Sequence, residues 1–198
     1  MLNQQLLDSL KQKIIDTLDC PLKDASTNIV FGKGNSNADI VFIGEAPGEK
    51  EDLQGIPFVG RAGNELDKLL NQIGLSLEDI YICNILKYRP PKNRDPSIAE
   101  IKSHTPYLIE QLKIIKPKIV VTLGNYSTKF VLGGFSPDNM KSIEGISVLH
   151  GTKHIVQFDD LNLLVIPIYH PAAMLYNPRL RDSFNDDFKF ISTVLNSN

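Results

Sequence analysis

The sequence predicts an α/β fold with three layers (αβα), in which helices cover both faces of a central four-stranded, mainly parallel sheet. Two observations lead to this fold class. Apolar runs alternate along the chain with segments of helical periodicity. Two of these runs, residues 40–43 and 119–121, are apolar at every position, which is typical of strands buried on both faces of a parallel sheet. No repeat or long linker divides the chain, so a single domain, residues 1–198, is expected.

Each predicted strand ends in turn-forming or polar residues. The strands cover residues 39–43, 79–83, 118–123 and 163–169. In the same order they are followed by Gly44, Asn84, Gly124 and His170. Because the carboxyl ends of parallel strands meet at one edge of an open sheet, where ligands bind, the sequence predicts a functional site at this edge.

Helices are predicted between the strands and at both ends of the chain. They cover residues 2–18, 64–73, 97–115, 125–132 and 180–195. Ser97 and Glu100 form a capping-box pattern at the start of the third helix, and Pro117 marks its end. Residues 135–160 are expected to form a β-hairpin or an irregular excursion, with a β-like piece at residues 146–149.

Composition narrows the class of protein. The 42% hydrophobic and 22% charged content is ordinary for a globular domain. No apolar run approaches the roughly 20 residues that cross a bilayer, and the first residues lack the pattern of a signal peptide. Two cysteines, Cys20 and Cys83, are too few for a disulfide framework. We therefore expect a cytoplasmic protein without a membrane partner, with Cys83 as a small buried apolar residue.

The net charge of −2 excludes binding of nucleic acid through bulk positive charge. Locally, the segment 87–94 holds four cations, Lys87, Arg89, Lys92 and Arg94, and no acid. Charge alone is equally consistent with a solvated loop, but this segment follows a strand at the predicted site edge.

Single motifs at this edge are not specific. Gly44-Glu-Ala-Pro-Gly48 alone is typical of a tight turn, and a lone histidine or asparagine after a strand is often a hydrogen-bonded surface group. Together, however, seven motifs between about Cys20 and Asp187 follow one order. They are residues 30–35, 44–48 with Glu51 and Asp52, 57–63, 81–84, 87–91 with Asn93 and Arg94, 121–124, and 169–174.

In this order and spacing the motifs resemble the uracil-DNA glycosylase superfamily, specifically the family 4 enzymes of thermophilic bacteria and archaea. The resemblance implies a monofunctional enzyme that flips uracil out of DNA and hydrolyses the N-glycosidic bond, leaving an abasic site. Phe58 would stack on the flipped base, or else be a core residue. Asn84 would read the uracil edge, and His170 would donate a hydrogen bond to O2 as negative charge collects there.

The resemblance leaves two acidic residues with open roles. Glu45 would orient the attacking water or stabilise the sugar cation, or act through a positioning hydrogen bond instead, because Ala46 stands where the best-known family carries an aspartate. Backbone N–H groups of the turn that holds Gly44, Ala46 and Gly48 would contact the base edge. Glu51 would help to exclude the thymine methyl group, or be a solvated loop acid.

Two further sets of residues would contact DNA. Residues 171–174 would form a minor-groove loop with Pro171 and Ala172, where Met174 or Leu175 fills the gap left by the base; alternatively Met174 packs in the core. Phosphate contacts would come from Arg61, Lys87, Arg89, Arg94 and Lys153.

The chain departs from the family at its cofactor. Family 4 enzymes hold a [4Fe–4S] cluster on four cysteines, whereas the corresponding positions here are Thr17, Cys20, Tyr88 and His104. One thiolate and one imidazole do not suffice, so the sequence predicts no cofactor. We expect Tyr88 to pack against Leu18, Cys20 and His104 instead. A zinc ion on Cys20 and His104 is an alternative that lacks two further ligands.

Other function classes stay open. The leading expectation is a glycosylase that acts as a monomer on uracil-containing DNA. The alternative is a catalytically weak DNA-binding accessory protein of repair or replication, which the missing cluster favours slightly and the presence of Phe58, Asn84 and His170 argues against. A nucleotide-binding domain is a third reading, although neither of the usual glycine-rich phosphate motifs occurs.

Overall fold

The computed structural model describes residues 2–197 of the chain. The α-helices are α1 (Leu2–Thr17), α2 (Pro21–Ala25), α3 (Glu49–Gln54), α4 (Arg61–Gln72), α5 (Ile98–Ile115), α6 (Asn125–Leu132), α7 (Ile146–Leu149), α8 (Ala173–Tyr176) and α9 (Arg181–Asn196). The strands are β1 (Lys33–Gly34), β2 (Ile40–Gly44), β3 (Ile80–Asn84), β4 (Ile119–Leu123), β5 (His154–Phe158) and β6 (Leu161–Ile168). Short 3₁₀ turns cover Pro91–Asn93, Pro137–Ser142 and Pro178–Leu180.

The sheet described within residues 2–197 has six strands in the order β1-β3-β2-β4-β6-β5. The four predicted strands form its parallel centre, β3-β2-β4-β6. Prediction of a four-stranded sheet missed the two edge strands, β1 and β5, which pair antiparallel with β3 and β6. Strand β1 has only two residues, and β5 pairs through a tight hairpin with β6, so neither carries the buried apolar run that revealed the centre.

Helices cover both faces of this sheet, which gives the three predicted layers. Side chains of β2 alternate between the two cores: Val41 and Ile43 pack on the side of α1 and α5, and Ile40 and Phe42 pack on the side of α4 and α9. Both faces of each central strand are thus buried, which explains why these strands are apolar at every position.

Most predicted helices are confirmed to within a few residues, and the capping box of Ser97 and Glu100 is formed. The structure of residues 135–160 differs from the prediction of a β-like piece at residues 146–149. Residues Ile146–Leu149 form one helical turn, and the expected hairpin lies later, at β5 and β6. Within the described residues, none of the helices has the length and apolar character that crossing a lipid bilayer requires.

Candidate active site

An open cleft of about 390 Å³ lies at the carboxyl edge of the central strands. Strands β2 and β3 end there side by side, with Gly44 opposite Asn84 in register. The structure brings together most of the site residues predicted from sequence, and these line the cleft: Glu45, Ala46, Gly48, Glu51, Phe58, Asn84, Arg94, His170 and Ala172. The prediction that the strand ends converge is therefore confirmed.

Gly44 makes room for the cleft. A β-carbon at this position would overlap Asn84 Oδ1 and the Phe58 ring. Only a residue without a side chain lets the ends of β2 and β3 hold an asparagine and an aromatic ring this close together.

Phe58 forms one wall of the cleft and is held in an unusual conformation. Its φ of 52° lies in the left-handed region that a bulky residue rarely adopts. Three contacts hold it there: Lys33 Nζ donates to the Phe58 carbonyl at 3.0 Å, and Glu51 Oε1 accepts from the amides of Val59 and Gly60 at 3.0 and 2.8 Å. Strain of this kind is found where a side chain is placed for function. Glu51 is thus tied to the Phe58 loop and is not a freely solvated acid.

Asn84 is the last residue of β3 and is 2% exposed. Its Oδ1 is buried and has no hydrogen-bond partner among residues 2–197. A buried acceptor without a donor costs about 1–3 kcal/mol, so this oxygen is poised for a donor that enters the cleft.

His170 follows β6 and stacks on Phe58, with ring centroids 5.8 Å apart. Its Nδ1 accepts from the Ala172 amide at 3.2 Å, which places the proton of a neutral ring on Nε2. Burial lowers the pKa of His170 to about 4, outweighing the opposing effect of Glu51. Gly124, with a φ of 89°, lies against the His170 β-carbon and admits no side chain. The site therefore offers a neutral, fixed N–H donor.

Glu45 lines the cleft next to the end of β2. Burial raises the pKa of its carboxyl to about 7, and the negative charge of Asp95 adds to the shift. Asp95 also lies near Tyr126, whose pKa is raised to about 12 by burial and by this carboxylate. Sequence reasoning missed Asp95 and Tyr126, because their proximity to Glu45 arises only from the packing of α6 beside the loop before α5.

Two predicted DNA contacts are wrong. Lys87 was expected to reach a phosphate, but the side chain is 0% exposed and its Nζ is surrounded by protein oxygens. Met174 was considered as a wedge, but it is 7% exposed and packs in the core with Phe58 and Phe184, so the alternative reading of a core residue holds. Pro171 is also buried. Neighbouring Leu175 lines a second cleft beside the first.

Three of the remaining predicted cations, Arg61, Arg89 and Arg94, lie at or beside the cleft. Arg94 lines the cleft and forms a two-pronged ion pair with Glu100. Arg89 donates to Asn93 at 2.8 Å. Exposed Arg61 lines the second cleft, and Lys153 is exposed before β5.

Two residues that line the main cleft were not predicted, Pro90 and Asn93. They belong to a turn with positive φ at Lys92 and Asn93, and the Pro-Pro-Lys-Asn sequence is the local signal that indicates such a turn.

The four positions that correspond to cluster ligands do not suit an iron–sulfur cluster. Thr17 donates to a carbonyl of its own helix, and the Tyr88 ring packs edge-on against His104 at 6.3 Å. His104 Nδ1 lies 2.8 Å from the Glu100 carbonyl, and Cys20 is the one thiol. No group of three or more His, Cys, Asp or Glu among residues 2–197 is placed to hold a metal.

The fold and the cleft define an α/β protein with an open cleft at the carboxyl edge of its sheet, lined by the Phe58 ring, Asn84 and His170. Residues 31–192 match the uracil DNA glycosylase superfamily. The chain is 45% identical over 192 residues to a type-4 uracil-DNA glycosylase of Saccharolobus solfataricus, covering 96% of this chain and 87% of the relative. It is 44% identical over 188 residues to the type-4 enzyme of Archaeoglobus fulgidus, covering 95% and 92%.

A bacterial relative, the type-4 uracil-DNA glycosylase of Thermotoga maritima, is 39% identical over 176 residues, covering 88% of this chain and 85% of the relative. The chain therefore belongs to the uracil-DNA glycosylase superfamily, within its type-4 family.

Proposed function

We propose that this protein is a monofunctional uracil-DNA glycosylase, which removes uracil from DNA and leaves an abasic site for base excision repair. The observation that carries the proposal is the unpartnered Oδ1 of Asn84, buried at the floor of the cleft between Phe58 and His170. The base is extruded from the stack, at a cost of a few kcal/mol, and enters the cleft against the Phe58 ring.

Asn84 selects uracil by its donor and acceptor pattern. The unpartnered Oδ1 accepts from uracil N3–H, and the amide nitrogen of the same side chain donates to O4. Cytosine presents the opposite pattern and would leave both polar groups unpaired, which disfavours it strongly. Backbone N–H groups of the turn through Ala46 and Gly48 are further donors at the base edge. Glu51 holds the Phe58 loop and limits the space beside C5.

His170 stabilises the departing base. As the N-glycosidic bond breaks, negative charge collects on uracil O2 and positive charge on the sugar. The His170 Nε2–H group donates to O2, and because the ring is neutral it need not lose a proton to do so. A donor fixed by the Ala172 amide and by packing against Gly124 requires little reorganisation during the reaction.

Glu45 activates the water. Its carboxylate accepts a proton from the water that attacks C1′ of the sugar, so that the water oxygen forms the new bond while the base leaves with the bonding electrons. A pKa near 7 suits a general base at neutral pH. Among residues 2–197 no hydrogen bond of the Glu45 carboxylate is formed, which favours this role over a purely positioning one.

DNA would approach across the cleft opening. Arg61, Arg89 and Arg94 are the cations placed to contact phosphates there, adding affinity that falls with salt. We propose that the protein acts as a monomer and as one domain, since the site is complete within a single chain. Two free, buried cysteines favour a reducing, cytoplasmic setting.

The test is uracil excision from an end-labelled oligonucleotide, scored by alkaline cleavage at the abasic site. We expect multiple turnovers with the uracil strand and none with a matched cytosine strand. Activity should be lost in Asn84→Ala, while the variant retains wild-type affinity for undamaged DNA. A folded protein that binds DNA but releases no uracil from single-stranded, U·A or U·G substrates would replace the enzyme by a DNA-binding accessory protein.

A further inference from the structure

Lys87 is a buried charged side chain that the proposed mechanism does not use. It is fully buried, although it belongs to the basic segment 87–94. Its Nζ donates to the carbonyl of Asn84 at 2.8 Å, to Gln111 Oε1 at 2.7 Å and to the carbonyl of Phe31 at 3.4 Å. A lysine with such partners beneath the base-reading residue requires an explanation, because lysine is almost never fully buried.

The donor count indicates that the amine is protonated. An ammonium group has three N–H donors, and the three oxygens around Nζ accept one each. Gln111 Nε2 donates to the Tyr81 hydroxyl and to the Phe31 carbonyl, which fixes the amide with its oxygen toward Lys87. Burial lowers the pKa of the Lys87 amine, but these three acceptors favour its charged form.

The charge has no negative partner within residues 2–197. The ion pairs among these residues do not include Lys87, and its Nζ instead lies 5.7 Å from the centre of the Phe31 ring. Burial raises the pKa of the neighbouring Cys83 thiol, which keeps it neutral. Tyr81 is likewise held neutral by burial, and burial lowers the pKa of nearby His104 to about 4. A buried positive charge without a counter-ion thus contacts the backbone carbonyl of Asn84, whose side chain lines the cleft.

We propose that Lys87 is a positioning residue with an electrostatic effect: its buried ammonium holds the Asn84 backbone and favours departure of the base as an anion. The inference rests on the proposed glycosylase function. Positive charge in a water-free interior acts over a longer range than in solvent, and it is present before the reaction begins. Exchange of this charge for a neutral group would raise the energy of the anionic leaving group more than that of the bound substrate.

The test compares two leaving groups at one DNA position, uracil and 5-fluorouracil. Fluorine withdraws electrons, so the fluorinated base carries negative charge more easily and depends less on external stabilisation. We expect Lys87→Met to slow single-turnover excision of uracil by about 10- to 100-fold and to slow excision of 5-fluorouracil clearly less. A purely structural role would give the same fold loss with both bases.

A second variant keeps the test decisive if Lys87→Met does not fold. Gln111→Glu retains an oxygen acceptor for Lys87 Nζ but neutralises its charge. The Tyr81 hydroxyl rotates to donate to the new carboxylate, and the Phe31 carbonyl loses the Gln111 donor but keeps that of Lys87. We expect the same selective loss on uracil. Lys118→Met is the control, because it removes an exposed cation at the opposite edge of the sheet, where Lys118 pairs with Asp39. It should match the wild type on both bases.

The outcomes separate the two proposals. Equal fold losses on both bases in the folded variants, or no loss, would overturn the role of Lys87 and leave the glycosylase intact. If the wild type excises neither base, the proposed function itself fails. Thermal unfolding and affinity for abasic-site DNA, measured on every variant, establish that the rates refer to folded protein.

Discussion

The cleft at the carboxyl edge of the sheet and the contact between α1 and the α5 region differ in how far their residues match the family pattern. In the cleft, the residue types that the family resemblance implies are present and converge: Phe58, Asn84 and His170. At the four positions that correspond to cluster ligands, only Cys20 is a thiol. Two of the relatives match 95% or more of the chain, so the similarity extends over both regions and the difference between them is local.

The difference follows from what each region has to supply. Reading a base and stabilising its charge require particular polar atoms at particular places, and no other side chain replaces them. A cluster whose role is to hold α1 against the neighbouring segments contributes only to stability, and packing of apolar side chains can contribute the same stability. Here Leu7, Leu10 and Ile14 of α1 are buried in the same core as Tyr88, and the Thr17 and Tyr107 hydroxyls lie 3.1 Å apart.

The largest effect is expected in the cleft. His170→Ala removes the fixed donor to O2 and should lower kcat for uracil excision by about 1,000-fold, with thermal stability near that of the wild type. His154→Ala, in edge strand β5 and outside the cleft lining, is the matched control and should keep full activity. Excision by His170→Ala at the wild-type rate would show that this cleft is not where the reaction occurs.

The second effect belongs to the other region and should appear in stability. Tyr88→Ala removes a buried ring that packs on His104, and we expect a loss of about 3 kcal/mol in the free energy of unfolding, measured with urea. Tyr88→Phe keeps the ring and should be close to the wild type. At temperatures where Tyr88→Ala is folded, kcat should stay within about threefold of the wild type. A large loss of kcat without a loss of stability would contradict the division between the two regions.

The sequence predicted the centre of the fold for a physical reason. Strands buried on both faces must be apolar throughout, and this leaves a local signal. Edge strand β1 has only two residues and β5 is partly exposed, so neither leaves such a signal. In the site, Gly44, Asn84 and His170 were found because each directly follows a predicted strand, and strand direction alone brings them to one edge.

The errors concern residues whose surroundings come from distant parts of the chain. Lys87 looks like a surface cation, but its oxygen partners include Phe31 and Gln111, which are 56 and 24 residues away. Met174 is apolar and fits a wedge or a core equally well until α9 is packed beside it. Asp95 becomes relevant only through Glu45. Local sequence patterns predict the element on which a residue lies, whereas tertiary packing determines which groups its side chain contacts.

Each region contains a histidine with a lowered pKa, and pH should affect the two contributions to stability in the same direction. Burial lowers the pKa of His104 and of His170 from 6.5 to about 4, so between these values the unfolded chain binds protons that the folded protein does not. The contribution of each histidine to stability therefore falls as pH decreases from 7 toward 4, while Glu45, whose pKa is raised to about 7, contributes in the opposite direction. Each histidine should contribute about 2 kcal/mol to the loss between pH 7 and pH 5.

Urea unfolding at the two pH values measures this loss in the wild type, His104→Phe and His170→Ala. Each variant should lose about 2 kcal/mol less than the wild type between pH 7 and pH 5. A variant whose stability depends on pH as steeply as that of the wild type would show that the replaced histidine has the same pKa in the folded and unfolded states.

The last prediction is that cluster reconstitution and chelation have no effect on the wild type, and it tests directly whether the α1–α5 region depends on a metal. If packing has replaced the cluster, anaerobic treatment with iron and sulfide should load no cluster into the wild type, and a chelator should change neither excision nor stability. The triple variant Thr17→Cys, Tyr88→Cys, His104→Cys has four thiols together with Cys20 and serves as the positive control, since thiolates are the usual ligands of such clusters.

Metal analysis also tests the alternative that Cys20 and His104 bind a zinc ion. Stoichiometric iron or zinc in the wild type, lost together with stability on chelation, would mean that this region still depends on a metal. The two regions would then no longer differ, since both would depend on the groups that the family pattern implies.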